Sequence, residues 1–285
     1  MKIMYKILQN EKLNSDSYEL IVEAPFVIQN CLPGQFVIVM AKEDSERIPL
    51  TIYDYDKEKG ILHLIYQVVG ASTEELSTMK DEIFSVVGPL GNPNEICKDP
   101  ESFKGKRICY VAGGVGVAPI YPQVKYLKEQ GFDVDVIYGA RNVQLLLIRE
   151  KLEKVANKVH YATDDGSFGT QGFVTDILKK YIHDYDVVVT IGPVIMMKNV
   201  VAVTKEYNVP TIVSMNPLMV DGSGMCGACR CEVDGKPKFA CIHGPEFDGF
   251  KVDFDLAMKR MKTYKEEEQE KWELMKKKLG GENHE

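Results

Sequence analysis

The chain has 285 residues, too many for one ordinary core and suited to about two domains. A formal net charge of −7 argues against binding nucleic acid through its phosphates. The apolar fraction of 45% and charged fraction of 27% are those of a soluble globular protein, and no run of about 18 apolar residues is present to span a membrane.

The opening stretch, MKIMYKILQNEKLNSDSYEL, reads as strand and lacks the uninterrupted apolar run of a signal peptide. The expected location is therefore the cytoplasm. Seven cysteines in a reducing compartment point to metal ligands or core residues rather than disulfides. Residues 1–97 carry short β signals: YELIVEAP, GQFVIVMA, IPLTIYDYD, ILHLIYQVV and EIFSVVGPLG, bounded by Pro33-Gly34, Lys59-Gly60 and Gly88-Pro89. Such regular spacing predicts an antiparallel barrel. KDPESFKGK, residues 98–106, is a polar linker.

From Arg107 the pattern alternates. RICYVAGG, DVDVIYGAR, KVHYATDDG, DVVVTIGP and PTIVSMN are buried-strand candidates, and IYPQVKYLKEQG, LLLIREKLEKVA and VTDILKKYI have helical spacing. Alternating β and α predicts an α/β domain with a parallel sheet over 98–215. YVAGGVGVAP places Gly114, Gly116, Val117, Ala118 and Pro119 at a strand-to-helix turn. There, backbone N–H groups at a helix N-terminus can bind a pyrophosphate. Three further turns fall on the same sheet edge: YGARN with Gly139 and Arg141, TDDGSFG with Asp164 and Asp165, and GPVIMM with Gly192, Pro193 and Met196. A carboxylate at the adenosine ribose repels a 2′-phosphate, so Asp164 and Asp165 favour NADH over NADPH. The other reading of that pair is a solvated turn.

Residues 216–252 hold four cysteines, and Asp221 precedes the first. The pattern Asp221-x4-Cys226-x2-Cys229-x11-Cys241 is the plant-type [2Fe–2S] spacing with aspartate in the first ligand position. Gly222, Gly224 and Gly227 let the backbone wrap closely around a cluster. Zinc on Cys226, Cys229, Cys241 and either Cys231 or His243, a thiol redox pair, and purely structural cysteines are the alternatives. Cys231 lies on a candidate strand, CRCEVDG, and is read as a non-ligand. In residues 253–285, Phe254, Met258, Met261, Tyr264, Trp272, Met275 and Leu279 recur at helical spacing, which predicts a charged helix that either docks a partner or folds back.

Barrel, nucleotide domain and iron–sulfur loop, in that order, resemble the ferredoxin–NADP reductase-like electron-transfer subunits over about residues 3–252. That family includes the electron-transfer subunit of dihydroorotate dehydrogenase B and the small subunit of NADH-dependent reduced ferredoxin:NADP oxidoreductase. The resemblance implies that the barrel binds FAD. In RIPLT, Pro49, Leu50 and Thr51 match the family's Pro-Ile-Ser, while Ile48 stands where arginine is usual and Arg47 is placed to serve the pyrophosphate. In IYQVVGAST, Ile65, Tyr66 and Gln67 would line the flavin, and Gly70, Ser72 and Thr73 its phosphates. Asp221, Cys226, Cys229 and Cys241 fall on the four cluster-ligand positions, the aspartate being characteristic of the oxidoreductase small subunit.

The resemblance further implies a route between NAD(H), FAD and the cluster to a large partner carrying a second FAD and [4Fe–4S] clusters, as a heterodimer or higher assembly with electron bifurcation. Ferredoxin would be reached through that complex. Flavin is needed because hydride carries two electrons and the cluster takes one. No catalytic acid or base is expected, and His160, His183 and His243 are read as surface or packing residues. The competing readings are the dihydroorotate dehydrogenase B subunit and a zinc-binding interaction module.

Overall fold

A computed structural model describes residues 4–281, with side chains to Lys277. The first sheet contains β1 (Tyr5–Lys12), β2 (Ser17–Glu23), β3 (Phe36–Met40), β4 (Ile48–Asp56), β5 (Ile61–Gln67), β6 (Glu82–Ile83) and β7 (Ser85–Leu90). All its pairings are antiparallel, in the order β6-β1-β2-β5-β4-β3-β7. Its two edge strands are consecutive in the chain. Ile7 N–H donates to Asp81 and Phe84 N–H to Ala41, so residues 81–90 bridge both edges and nearly close a barrel. Two short helices, α1 (Pro25–Ile28) and α2 (Ala71–Thr78), pack around it.

Period-two alternation sorts this sheet. Leu50 and Ile52 of β4, and Leu62, Leu64 and Tyr66 of β5, point into the barrel core. Pro49, Thr51, Tyr53, Ile65 and Gln67 lie on the opposite face. There Tyr53 and Ile65 join the core of the second sheet. The Tyr53 ring lies 5.2 Å from Tyr121, and Lys125 binds Asp54 at 2.9 Å.

The second sheet contains β8 (Ile108–Gly113), β9 (Val134–Ala140), β10 (Lys158–Thr163), β11 (Thr170–Gln171), β12 (Val187–Ile191), β13 (Thr211–Ser214) and a late strand, β16 (Glu246–Asp248). The order is β11-β10-β9-β8-β12-β13-β16, parallel except for β16. Between come α3 (Glu95–Lys98), α4 (Val117–Glu129), α5 (Arg149–Val155), α6 (Val174–Tyr181) and α7 (Val194–Glu206). Both faces are covered. Ile108, Tyr110 and Ala112 of β8 face one core, and Cys109 and Val111 face the other. That is why these strands read as continuous apolar runs. The chain leaves β8 toward β9 and later returns to β12 on its other side, which opens a crevice at the carboxyl ends of the strands.

Two helical expectations shift. LLLIREKLEKVA begins its helix only at Arg149. Asn142 Oδ1 instead accepts from Leu145 N–H and caps a tight turn, while Leu146 and Leu147 are drawn into the core. Ile148 then turns through φ 47°. Core anchoring outweighs helical propensity there. The C-terminal segment divides into α9 (Phe254–Arg260) and α10 (Lys265–Gly281). At the break, both the N–H and the hydroxyl of Thr263 bond the Arg260 carbonyl, which competes with a continuous helix.

Residues 216–252 contain the hairpin β14 (Arg230–Val233) and β15 (Lys236–Phe239) and the short helix α8 (Ala240–His243). Asp234 and Gly235 make the hairpin turn with φ 55° and 66°, the backbone a two-residue turn demands. This segment is braced on both sheets. β16 pairs with β13, and Asn92 donates from its backbone to Gly244 and from its side chain to Ile242. α10 folds back on the barrel. Trp272 Nε1 donates to Glu74 of α2 at 3.2 Å, and Lys271 binds Glu46 at 2.6 Å. Trp272 and Met275 are thereby half-buried, and the Leu279 side chain lies outside the described residues.

Candidate functional site: a cavity joined to a cysteine loop

A cavity of about 940 Å³ lies where the two sheets and the cysteine segment meet. From the barrel, Pro49, Leu50, Thr51, Ile65, Tyr66, Gln67 and Thr73 line it. The alternation above decides what each presents. Pro49, Thr51, Ile65 and Gln67 are on the cavity side. Tyr66 reaches the cavity but turns its ring away, donating its hydroxyl to Asn10 at 2.9 Å and stacking on Tyr18. At α2, Val69 and Gly70 N–H both bond Thr73 Oγ1. The first N–H groups of a helix have no intrahelical acceptor, and a side chain added at Gly70 would meet open space.

From the second sheet come Gly114, Gly116, Pro119, Gly139, Arg141, Asp164, Gly192, Pro193 and Met196, at the carboxyl ends of strands, in the turns after them or in the first turns of the helices that follow. The glycines are there for close approach as well as for turning. A Cβ on Gly116 would collide with the Ile191 carbonyl, and one on Gly139 with Val174. Gly113 and Gly192 both sit against Met196. Val117 and Ala118 are buried at the start of α4 and lie off the cavity lining. The aspartate pair divides. Asp164 lines the cavity, whereas Asp165 accepts from Ser167 N–H at 2.9 Å and shapes its own turn.

Besides Val117, Ala118 and Asp165, three expected residues lie off the lining. Arg47 Nε donates to the Val220 carbonyl at 2.8 Å, Ser72 donates to Glu46, and Gly70 forms the helix cap. Other lining residues carried no sequence signal. Asn14 and Asp16 come from the β1–β2 turn, Asn199 from α7, and Met215 and Asn216 from the start of the cysteine segment. Phe173 was findable in principle: it is 64% exposed beside the cavity, at the start of an otherwise well-patterned helix.

The cysteine loop abuts this cavity through Met219. Gly222, Gly224 and Gly227 adopt φ of 76°, 82° and 67°, where any side chain is strained. A Cβ on Gly222 would strike Leu90 of β7, so the loop rests directly on the barrel. The Cys229 and Cys241 sulfurs touch at 3.1 Å. Burial, then the neighbouring Cys229 thiol, push Cys241 up to about 12. Metal ligation requires the thiolate, so a cation bound at this pair would oppose that rise in Cys241. Asp221 accepts from Ser223 N–H at 2.8 Å and Cys226 N–H at 3.0 Å, and these bonds hold its carboxyl below the usual range. Cys231 is buried in the same core cluster as Cys229, Cys241 and Val233, and its thiol bonds the Cys229 carbonyl.

Among the described residues, no three such side chains converge on one metal position. A two-iron cluster takes two protein ligands per iron, and the glycine-rich loop with Asp221, Cys226 and Cys229, met by Cys241 of α8, supplies such a donor set. The residues present fit a [2Fe–2S] group.

Residues 216–253 match the iron–sulfur cluster binding domain of dihydroorotate dehydrogenase B, which settles the metal chemistry in favour of iron–sulfur over zinc. Residues 110–202 match the oxidoreductase NAD-binding domain. A Clostridium beijerinckii protein named for its place in the adh 3′ region is 49% identical over 272 residues, 93% of this chain and 92% of that one. The dihydroorotate dehydrogenase B (NAD(+)) electron transfer subunit homolog of Thermotoga maritima is 42% identical over 279 residues, 96% of each chain. A solved structure of NADH-dependent reduced ferredoxin–NADP oxidoreductase, studied for flavin-based electron bifurcation, superposes with a TM-score of 0.86 at 39% identity, over 96% of this chain and 98% of that one. The chain therefore belongs to the family of dihydroorotate dehydrogenase B-type electron-transfer subunits, oxidoreductase subunits built on the ferredoxin–NADP reductase-like fold.

Proposed function

We propose that the chain moves electrons between NAD(H), FAD and a [2Fe–2S] cluster and delivers them to a larger partner subunit, as the small subunit of an electron-bifurcating NADH-dependent ferredoxin:NADP oxidoreductase. The observation that carries this reading is spatial. One cavity is walled by the flavin-type barrel face, the glycine turns of the nucleotide sheet and the cysteine segment. The aspartate in the first cluster-ligand position and the full-length likeness to the bifurcating oxidoreductase favour that complex. The free state of all seven cysteines suits the cytoplasm.

FAD, when bound, supplies the exchange between a hydride pair and single electrons that the cluster can take. The protein's task is placement. Pro49 and Thr51 present a flat apolar surface and a hydroxyl to the ring site, and Ile65 and Gln67 flank it. The N-terminus of α2 with Thr73 receives the phosphates. The turn at Gly114 and Gly116, with Pro193 and Met196, admits the dinucleotide to the same space. Asp221, Cys226, Cys229 and Cys241 hold the cluster. No side chain need move a proton.

An anaerobic visible spectrum with iron and flavin counts tests this. Flavin bands and about two irons per chain, bleached by NADH, are expected. A colourless chain unresponsive to NADH would sink it. A second reading, the dihydroorotate dehydrogenase B subunit, is favoured by the name of the Thermotoga relative. Partner activity separates the two: a co-purified large subunit that reduces NADP or ferredoxin supports the first, and one that oxidises dihydroorotate supports the second.

Asp164 gives a sharper test of the nucleotide. Of the Asp164–Asp165 pair it is the one on the cavity wall, with Asp165 occupied by its turn. Asp164→Ser is expected to raise the NADPH-to-NADH ratio of kcat/KM about tenfold, the equivalent of ~1.4 kcal/mol of relieved repulsion. An unchanged ratio would place the ribose elsewhere.

A further inference from the structure

The cysteine loop is held from outside by two arginines. Arg47, just before β4, donates Nε to the Val220 carbonyl at 2.8 Å. Arg260, at the end of α9, donates Nη2 to the Ala228 carbonyl at 3.3 Å. The two accepting residues are placed alike. Val220 immediately precedes Asp221, and Ala228 immediately precedes Cys229. The ligands themselves divide into pairs. Cys229 and Cys241 are in sulfur contact, and Asp221 is bonded to the Cys226 backbone. One arginine thus addresses each pair.

Their charges are free to act. Among the described residues neither arginine has a carboxylate within ion-pair distance. Glu46, beside Arg47 in sequence, is taken up by Lys271 and Ser72. A guanidinium stays protonated at any working pH. Three thiolates and a carboxylate give the cluster a net negative charge that grows when it takes an electron, so a fixed cation nearby favours the electron-rich state.

We propose that Arg47 and Arg260 are the positioning residues of the [2Fe–2S] loop, clamping the peptides before Asp221 and Cys229 and placing one positive charge beside each ligand pair so that the cluster accepts electrons more readily. The proposal rests on the iron–sulfur reading above. It moves Arg47 from a flavin-phosphate contact to the strut between the cavity face of the barrel and the cluster. Pro49 and Thr51 follow it on the same strand face, so displacement of the loop is resisted by the strand that lines the ring site.

The test is an EPR-monitored redox titration of the full-length chain as wild type, Arg47→Gln, Arg260→Gln, the double variant, and Arg47→Lys and Arg260→Lys, with iron and FAD counted in each. Each glutamine variant is expected to show a lower midpoint potential, its reduced-to-oxidised ratio falling at least about threefold at the wild-type midpoint, with a larger fall in the double variant. Lysine variants should return toward wild type because they restore the charge. Unchanged midpoints in both glutamine variants would overturn the proposal. So would an Arg47→Gln chain that loses FAD while its midpoint stays fixed, since that marks a phosphate contact. If glutamine variants fail to hold iron, the lysine variants decide: iron retained with a near-wild-type midpoint supports the clamp, and iron lost in both overturns it. A wild-type chain without the [2Fe–2S] signal would instead refute the cluster reading itself.

Discussion

Chains carrying Cys229→Ser or Cys241→Ser are expected to lose the visible absorption and most of the iron of the cluster, while Cys231→Ser keeps both. The reason is the 3.1 Å contact between the two sulfurs. In the proposed ligand set this pair would share one iron, and removing either thiolate would leave that iron a ligand short. Cys231 sits two residues from Cys229 in sequence, but its side chain packs with Val233 in the core and its thiol bonds the Cys229 carbonyl at 3.8 Å. Its loss costs packing only, of the order of 1 kcal/mol. Asp221 separates ligation from loop shape. Asp221→Cys restores the four-cysteine pattern and should retain about two irons per chain. Asp221→Ala removes a ligand and also leaves the Ser223 and Cys226 N–H groups without their acceptor. It should lose iron and loosen the loop together. Iron assays and spectra of the five chains check this. A colourless Cys231→Ser chain would contradict the ligand set.

The second large effect is on stability and comes from Glu246. It lies on β16 where barrel, nucleotide sheet and cysteine segment meet. Asn94 from the barrel side donates to it at 2.7 Å and Gln123 from α4 at 3.0 Å. Burial pushes its carboxyl up to about 7, against the lowering effect of those two bonds. The fold therefore binds this proton more tightly than the unfolded chain, whose value lies near 4.5. Stability from this group is complete below about pH 4.5, falls as pH rises through about 7, and is flat above. The shift corresponds to about 3 kcal/mol at most. Glu246→Gln removes the ionisation. Denaturant unfolding at pH 5 and pH 8 should show wild type losing stability across that interval and the variant changing less. Parallel curves for the two chains would mean the carboxyl titrates normally.

Much of this molecule can be read from its residues, and where reading fails the cause is specific. Strands announced themselves because β8 and β12 are buried on both faces and carry unbroken apolar runs. The glycine turns fell on one edge because parallel strands must end there together. The spacing of Asp221, Cys226 and Cys229 is local, and a short loop presents those positions to one group whatever surrounds it. LLLIREKL misled because helical spacing is also produced by leucines drawn singly into a core. The C-terminal stripe was ambiguous for the same reason. Amphipathic spacing says that a face must be covered and is silent on what covers it: Phe254 and Met258 pack into the core of the cysteine segment, Trp272 meets α2, nearly two hundred residues away in sequence, and Met261 and Tyr264 stay exposed.

Local order thus determined the fold class, the cluster spacing and the nucleotide turns, since each depends on residues a few positions apart. Tertiary structure alone decided which carboxylate of the Asp164–Asp165 pair faces the cavity, that Tyr66 turns into the barrel, and that Arg47 reaches the cysteine loop. Those outcomes depend on groups brought together from distant parts of the chain. A hydrogen bond such as that from Arg47 to Val220, 173 residues apart, leaves no periodic trace in either partner.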